Sequence, residues 1–181
     1  MKKLIITLAA LLVFSVSIHA QTEKTNYSYS FINEYGPYFG GISSNSAIGF
    51  TGVFVNGIKI NNQDVIGLGL GYEIGENETQ SIPIFLNYRH IFPSSVALKP
   101  VVNFAIGTRL SYWNVQDIIG YDPVYLYPIY GPEREVHAFG IYSTIAAGFN
   151  VHAFSLTSGF FLRTAGERFQ AGFEVKVGYT L

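Results

Sequence analysis

Eight ionisable residues stand singly among apolar, glycine and small hydroxyl neighbours: Glu34, Glu73, Arg89, Lys99, Arg109, Arg163, Glu174 and Lys176. A charge taken out of water is expensive unless an opposite charge and hydrogen bonds meet it. Three acids and five bases in such settings therefore point to one another. The spacing of two between Glu174 and Lys176 puts both on one face of an extended strand. The chemistry expected of the set is mutual neutralisation in an ion-pair network that fills an interior. The competing reading is a narrow polar path for small solutes. Glu34 and Glu174, on neighbouring strands, are expected to meet Arg109 or Lys176.

Covalent catalysis needs a nucleophile and a base within hydrogen-bond reach. His137 has Glu135 on the same strand face, and His152 is followed by Ser155 and Ser158. His137 lacks a serine at useful spacing, because Ser143 lies deep in the strand that follows. The chain is expected not to be an enzyme. Four scattered histidines and no cysteine make no metal-ligand set, and no cofactor is expected. The glycines of GLGLGYEIG alternate along a strand and open no helix, so they do not form a nucleotide loop. Beyond Ala20, nine basic residues face twelve acidic ones, a balance that argues against nucleic acid as a partner.

The elements that carry these residues share one pattern. RFQAGFEVKVGYTL is apolar at Phe169, Ala171, Phe173, Val175, Val177, Tyr179 and Leu181, with polar or small residues between. VIGLGLGYEIG, SIPIFLNYRH, VALKPVVNFAIGTRLSY and AFSLTSGFFLRT repeat it. Side chains of a strand alternate between faces, so each stretch has one apolar face and one small or polar face. The alternation predicts eight strands, over 28–40, 46–60, 64–75, 80–91, 96–112, 135–150, 153–164 and 168–181. Asn56-Gly57 resembles a hairpin turn. It is read as strand, because Ile58 and Ile60 keep the phase of Phe50 and Phe54. The second, fourth and sixth connections are short, near Asn61-Asn62-Gln63, Pro93-Ser94-Ser95 and Asn150-Val151-His152, so they share one end. The one long connection, Asn114 to Arg134, lies at the other.

Composition decides which face points outward. Charged residues make up 13% of the chain, against about 25% in a soluble domain, and aromatic residues 16%. After residue 20 no apolar run approaches the roughly 20 residues a spanning helix needs. The alternate face is too poor in charge to be a soluble exterior, yet suits a narrow lumen where glycines make room. Aromatic residues gather near strand ends as interfacial girdles: Tyr72, Tyr112, Trp113 and Phe169 at one, Tyr88, Phe92, Phe149, Phe154 and Tyr179 at the other. The fold expected is all-β, a transmembrane eight-stranded antiparallel up-and-down β-barrel. MKKLIITLAALLVFSVSIHA, residues 1–20, reads as a cleaved secretory signal peptide, with residues 21–181 as the barrel domain.

The leader, the eight strands, the single long loop and GLGLGY followed by IPIFLNYR resemble the small bacterial outer-membrane barrels of OmpX and OmpA-barrel type. The resemblance covers nearly all of 21–181. It implies a monomer in the bacterial outer membrane, among outer-membrane lipid and lipopolysaccharide, with a filled lumen and a structural, adhesive or stress-related role. A few relatives of such barrels modify lipid A, which leaves an enzyme as one alternative and a narrow pore as another. The last strand, through Phe173, Val175, Val177, Tyr179 and Leu181, resembles the terminal signal that barrel-assembly machinery recognises. Leu181 stands where an aromatic residue is usual. In the long loop, Tyr121, Tyr125, Leu126, Tyr127 and Tyr130 form a candidate surface-contact segment. Exposed apolar patches often mark contact sites, and tyrosine offers rigid amphipathic area. The other reading of this loop is packing on the barrel rim or on lipopolysaccharide, or extension of the fifth and sixth strands above the membrane.

Overall fold

The computed structural model describes residues 25–41, 47–75, 79–123, 125–166 and 168–181. The expected leader, residues 1–20, lies outside them. Among the described residues ten strands form: β1 (Tyr27–Gly40), β2 (Ala47–Ile60), β3 (Asp64–Gly75), β4 (Gln80–Ile91), β5 (Leu98–Val115), β6 (Ile118–Tyr121), β7 (Pro128–Tyr130), β8 (Arg134–Val151), β9 (Phe154–Ala165) and β10 (Arg168–Thr180). Eight of them close an antiparallel barrel, in which β10 returns to pair with β1, and β6 and β7 form a separate two-stranded sheet within the long connection. Closure leaves no unpaired edge, which hydrocarbon would penalise heavily. The terminal residue joins the seam, with Phe31 N donating to Leu181 O at 3.2 Å and Leu181 N to Phe31 O at 2.8 Å.

The strands agree with the alternation to within a few residues, and the differences have local causes. β5 and β8 are each 18 residues long and pair to Val115↔Arg134, above the level of their neighbours. Asn56-Gly57 stays in the ladder, where Gly57 pairs with Ser30 and Gly67. Partners on both sides outweigh the local turn preference, and Tyr29 Oη donates to Asn56 Oδ1 at 2.6 Å. The real turn is Asn61-Asn62, both left-handed at φ 51° and 60°. Asparagine tolerates the two positive angles a type I′ hairpin requires.

One row of cross-strand neighbours runs from Lys99 through Asn150, Ser155, Gly178, Glu34 and Val53 to Gly71. It crosses β4 at Pro83, whose missing N–H interrupts the β3–β4 ladder between Leu70↔Ile84 and Glu73↔Ser81. It then regains β5 at Arg109, a stagger of ten residues from Lys99. With eight strands, that stagger tilts each strand by roughly 40° to the axis.

The two faces differ sharply. Leu68, Ile106 and Phe160 are 64%, 63% and 67% exposed on the outside. Along the outward rows of the described barrel strands, Asp64 and Glu135, both at strand ends, are the only Asp, Glu, Lys or Arg. Such a belt is solvated by hydrocarbon and not by water. Inside, close packing depends on glycine at particular points. A Cβ on Gly69 would stand 2.2 Å from the Phe85 ring. Its absence lets that ring cross the lumen and stack on Tyr142 at 4.9 Å.

Candidate functional site

Three carboxylates and four cations meet in the lumen. β1 supplies Glu34, β3 Glu73, β4 Arg89, β5 Arg109, β9 Arg163, and β10 both Glu174 and Lys176, none more than 2% exposed. Arg163 Nη2 lies 3.0 Å from Glu73 Oε1 and 2.7 Å from Glu174 Oε2. Glu73 Oε2 is 3.1 Å from Arg109 Nε, and Glu174 Oε1 is 2.5 Å from Lys176 Nζ. The result is a chain of alternating charge from Arg109 to Lys176. Nearer the termini, the Arg89 guanidinium pairs with Glu34, which also accepts from Ser155 Oγ at 3.1 Å.

Among the described residues, four cations over three carboxylates leave one positive charge in excess, and aromatic faces meet it. The Arg163 guanidinium carbon lies 4.0 Å from the Phe161 centroid, 4.6 Å from Tyr38 and 5.4 Å from Tyr142. Ring faces carry the negative end of the quadrupole, so three of them help hold a buried cation. Toward the long-loop end, Arg109 Nη1 donates to Gln170 Oε1 at 3.3 Å. Above that, the Arg168 guanidinium covers the Trp113 ring at 4.1 Å. The space left there is about 20 Å³, room for about one water.

Two expectations are corrected. Lys99 does not join the network: β5 begins at Leu98, so Lys99 stands exposed at the rim facing the termini end. Trp113 is not part of the outer girdle. It is 8% exposed and faces inward, in phase with Arg109 and Ser111, a parity the sequence contained. Glu174 meets Lys176 and Arg163, whereas Glu34 meets Arg89 and not Arg109 or Lys176. The rings of Tyr38, Phe161 and Tyr142 were missed as part of this cluster. Their parity with Glu34, Arg163 and Thr144 was the available signal. In the closing strand, Phe173, Val177 and Tyr179 face outward and exposed, Val175 faces outward half-buried, and Leu181 is exposed at the seam.

The histidine candidates remain apart from a nucleophile. His137 Nε2 is 3.6 Å from Glu135 Oε1 on the exposed rim. Ser143 is six residues further along the same outward row, roughly 20 Å away by strand rise. His152 sits in the β8–β9 turn at φ 55°. Ser155 points into the lumen on Glu34, while Ser158 faces outward.

The β6–β7 hairpin projects from the opposite end. Tyr121, Tyr125, Leu126, Tyr127 and Tyr130 are 60%, 71%, 75%, 70% and 55% exposed. They do not fold back on the rim. Asp122 orders the tip: its N–H donates to Tyr127 O, and its carbonyl and Oδ1 accept from Leu126 N and Tyr125 N, each at 2.9 Å. The Tyr125 and Tyr127 rings stack at 6.2 Å, and Arg134 Nε lies 3.2 Å from Asp117 Oδ2 at the base.

This geometry defines a closed eight-stranded barrel with an apolar exterior and an ionic packed lumen, the fold of small outer-membrane β-barrels. Solved structures share it. The Neisserial surface protein A superposes with a TM-score of 0.58 at 12% identity, over 86% of this chain and 98% of that one. Ail of Yersinia pestis, in complex with the heparin analogue sucrose octasulfate, gives 0.53 at 9% identity, over 84% and 97%. The outer-membrane enzyme PagL gives 0.50 at 12% identity, over 82% and 98%. No family model matches the chain, and no curated protein matches it. At such identities the likeness is one of fold.

Proposed function

We propose that this protein spans a bacterial outer membrane as a plugged monomeric barrel and acts without catalysis, in envelope structure or in surface contact through its β6–β7 hairpin. The observation that supports the contact role is the exposed hairpin: five large side chains stand clear of the rim, on a tip whose backbone Asp122 orders. Exposure of that kind is costly to keep and is characteristic of a contact surface. The hairpin and the termini lie at opposite ends, so with the termini and short turns in the periplasm the tyrosines face the medium. Ail, which shares the fold, binds a heparin analogue, so sulfated glycans belong in the first panel of partners. Cells displaying the intact chain are expected to adhere to immobilised glycans or matrix proteins, and cells displaying a 118–130 deletion to lose that adhesion while the barrel still folds. Equal adhesion by both would end the contact reading.

The lumen network is read as a plug. Reconstituted in planar bilayers, the folded chain is expected to show no ion conductance above background, because the Arg109-to-Lys176 chain and the Trp113–Arg168 stack fill the axis. Discrete channel openings would refute this. Lipid A from expressing and non-expressing cells is expected to have the same mass. The last strand, through Val175, Val177 and Tyr179, is read as the segment that the barrel-assembly machinery engages.

A further inference from the structure

We propose that the mouth at the termini end is a binding site for a small oxyanion that also carries a hydroxyl, a phosphate or a sugar acid. The site does not depend on the adhesive reading of the hairpin. A cavity of about 340 Å³ opens there, lined by Lys59, Asn62, Lys99, Asn150, His152 and Thr180 among others, with no acidic residue in its wall among the described residues. That volume lies within the range of small-molecule sites. Lys59 comes from β2 and Lys99 from β5, so two separate strands each bring a lysine to the wall of one cavity. The nearest buried carboxylate along the same row, Glu34, is already held by Arg89 and Ser155. The unbalanced lumen cation adds to the positive potential. A low-dielectric wall beside the two lysines focuses their field on an entering anion.

A second observation narrows the ligand. Asn150 lies directly across from Lys99 in the β5–β8 ladder, which brings their Cβ atoms to about 5 Å. Asn150 is only 6% exposed, yet its Oδ1 has no hydrogen-bond partner among the described residues, and neither has the buried Thr180 Oγ1. A buried acceptor without a partner asks for a donor. Chloride supplies charge but no donor, and a neutral sugar supplies donors but no charge. An oxyanion with a hydroxyl does both: its negative oxygens face Lys59 and Lys99, and its O–H donates to Asn150.

The test titrates the folded protein in detergent micelles with inorganic phosphate and with glucuronate, using chloride and glucose as controls, and follows backbone amide shifts. Phosphate or glucuronate at millimolar concentration is expected to shift the amides of Lys99, Asn150 and His152 saturably; whichever binds more tightly identifies the source. The Lys59→Met/Lys99→Met variant keeps the barrel, since neither lysine is part of the buried network, and is expected to bind about tenfold more weakly. Asn150→Ala is expected to narrow the preference for glucuronate or phosphate over chloride. The proposal is overturned if neither oxyanion gives a saturable shift, if chloride shifts the same amides equally, or if the double lysine variant binds unchanged.

Discussion

Replacing Arg163 by alanine is expected to destabilise the folded barrel by about 3–5 kcal/mol, the cost of removing one partner from a buried ion-pair cluster. Arg163 is fully buried and touches both Glu73 and Glu174. Without it, Glu73 keeps only Arg109 and Glu174 keeps only Lys176, and the two carboxylates face each other across an emptied centre. The Tyr38, Phe161 and Tyr142 rings lose the cation between them as well. Urea unfolding in lipid vesicles reads the loss. The single tryptophan, Trp113, sits inside the long-loop mouth and reports barrel opening by its fluorescence. Arg168→Ala is the control for simple loss of an arginine: it is exposed and stacks on Trp113, so its removal is expected to cost about 1 kcal/mol or less. Arg163→Met, which refills the emptied centre while Arg109–Glu73 and Lys176–Glu174 stay paired, should recover part of the loss. A loss below about 1 kcal/mol for Arg163→Ala would mean that water reaches the lumen and screens these charges. The plug would then fail as a description.

The parts of this network that the sequence made legible are those set by parity. Period-two alternation assigns Glu73, Arg109, Arg163, Glu174 and Lys176 to the inward face without any knowledge of pairing. The same parity holds Trp113 with Arg109 on the inward face, against the general preference of tryptophan for the membrane interface. What alternation cannot supply is depth and cross-barrel distance. Lys99 has inward parity, yet it stands one residue into β5 and therefore on the rim. Glu34 and Arg89 lie on strands separated by two others, 55 residues apart in sequence, and their meeting depends on the ten-residue stagger of the closed sheet. The stagger is a property of the closed sheet and leaves no local trace in the chain. The β6–β7 hairpin illustrates another limit. Its tyrosines were visible in the sequence, but whether they lay down on the rim or stood clear was decided by Asp122 and its three hydrogen bonds.

Leu68→Arg is expected to cost about 2–4 kcal/mol in lipid vesicles, the penalty for a cation facing hydrocarbon near the bilayer midplane. Leu68 is 64% exposed, mid-strand in β3, and its neighbours are Leu86 and the outward Asn56. Ile74→Arg, at the end of the same strand and the same face, should cost only about 0–1 kcal/mol, because the side chain reaches the headgroups. The difference between the two sites is the informative quantity. Both replace an exposed apolar side chain on one strand by the same cation, so strand propensity and loss of apolar contact largely cancel, and depth in the bilayer remains. In water an arginine at either site would be equally well solvated, and the penalties would be equal and small. A depth-dependent penalty is therefore a property of the membrane-spanning orientation alone. Every functional statement about this protein, from the outward tyrosines to the anion-binding mouth, places those features at the ends of that span. Equal effects at Leu68 and Ile74 would turn the apolar belt into an ordinary protein surface and remove the two separated compartments that the proposed function requires.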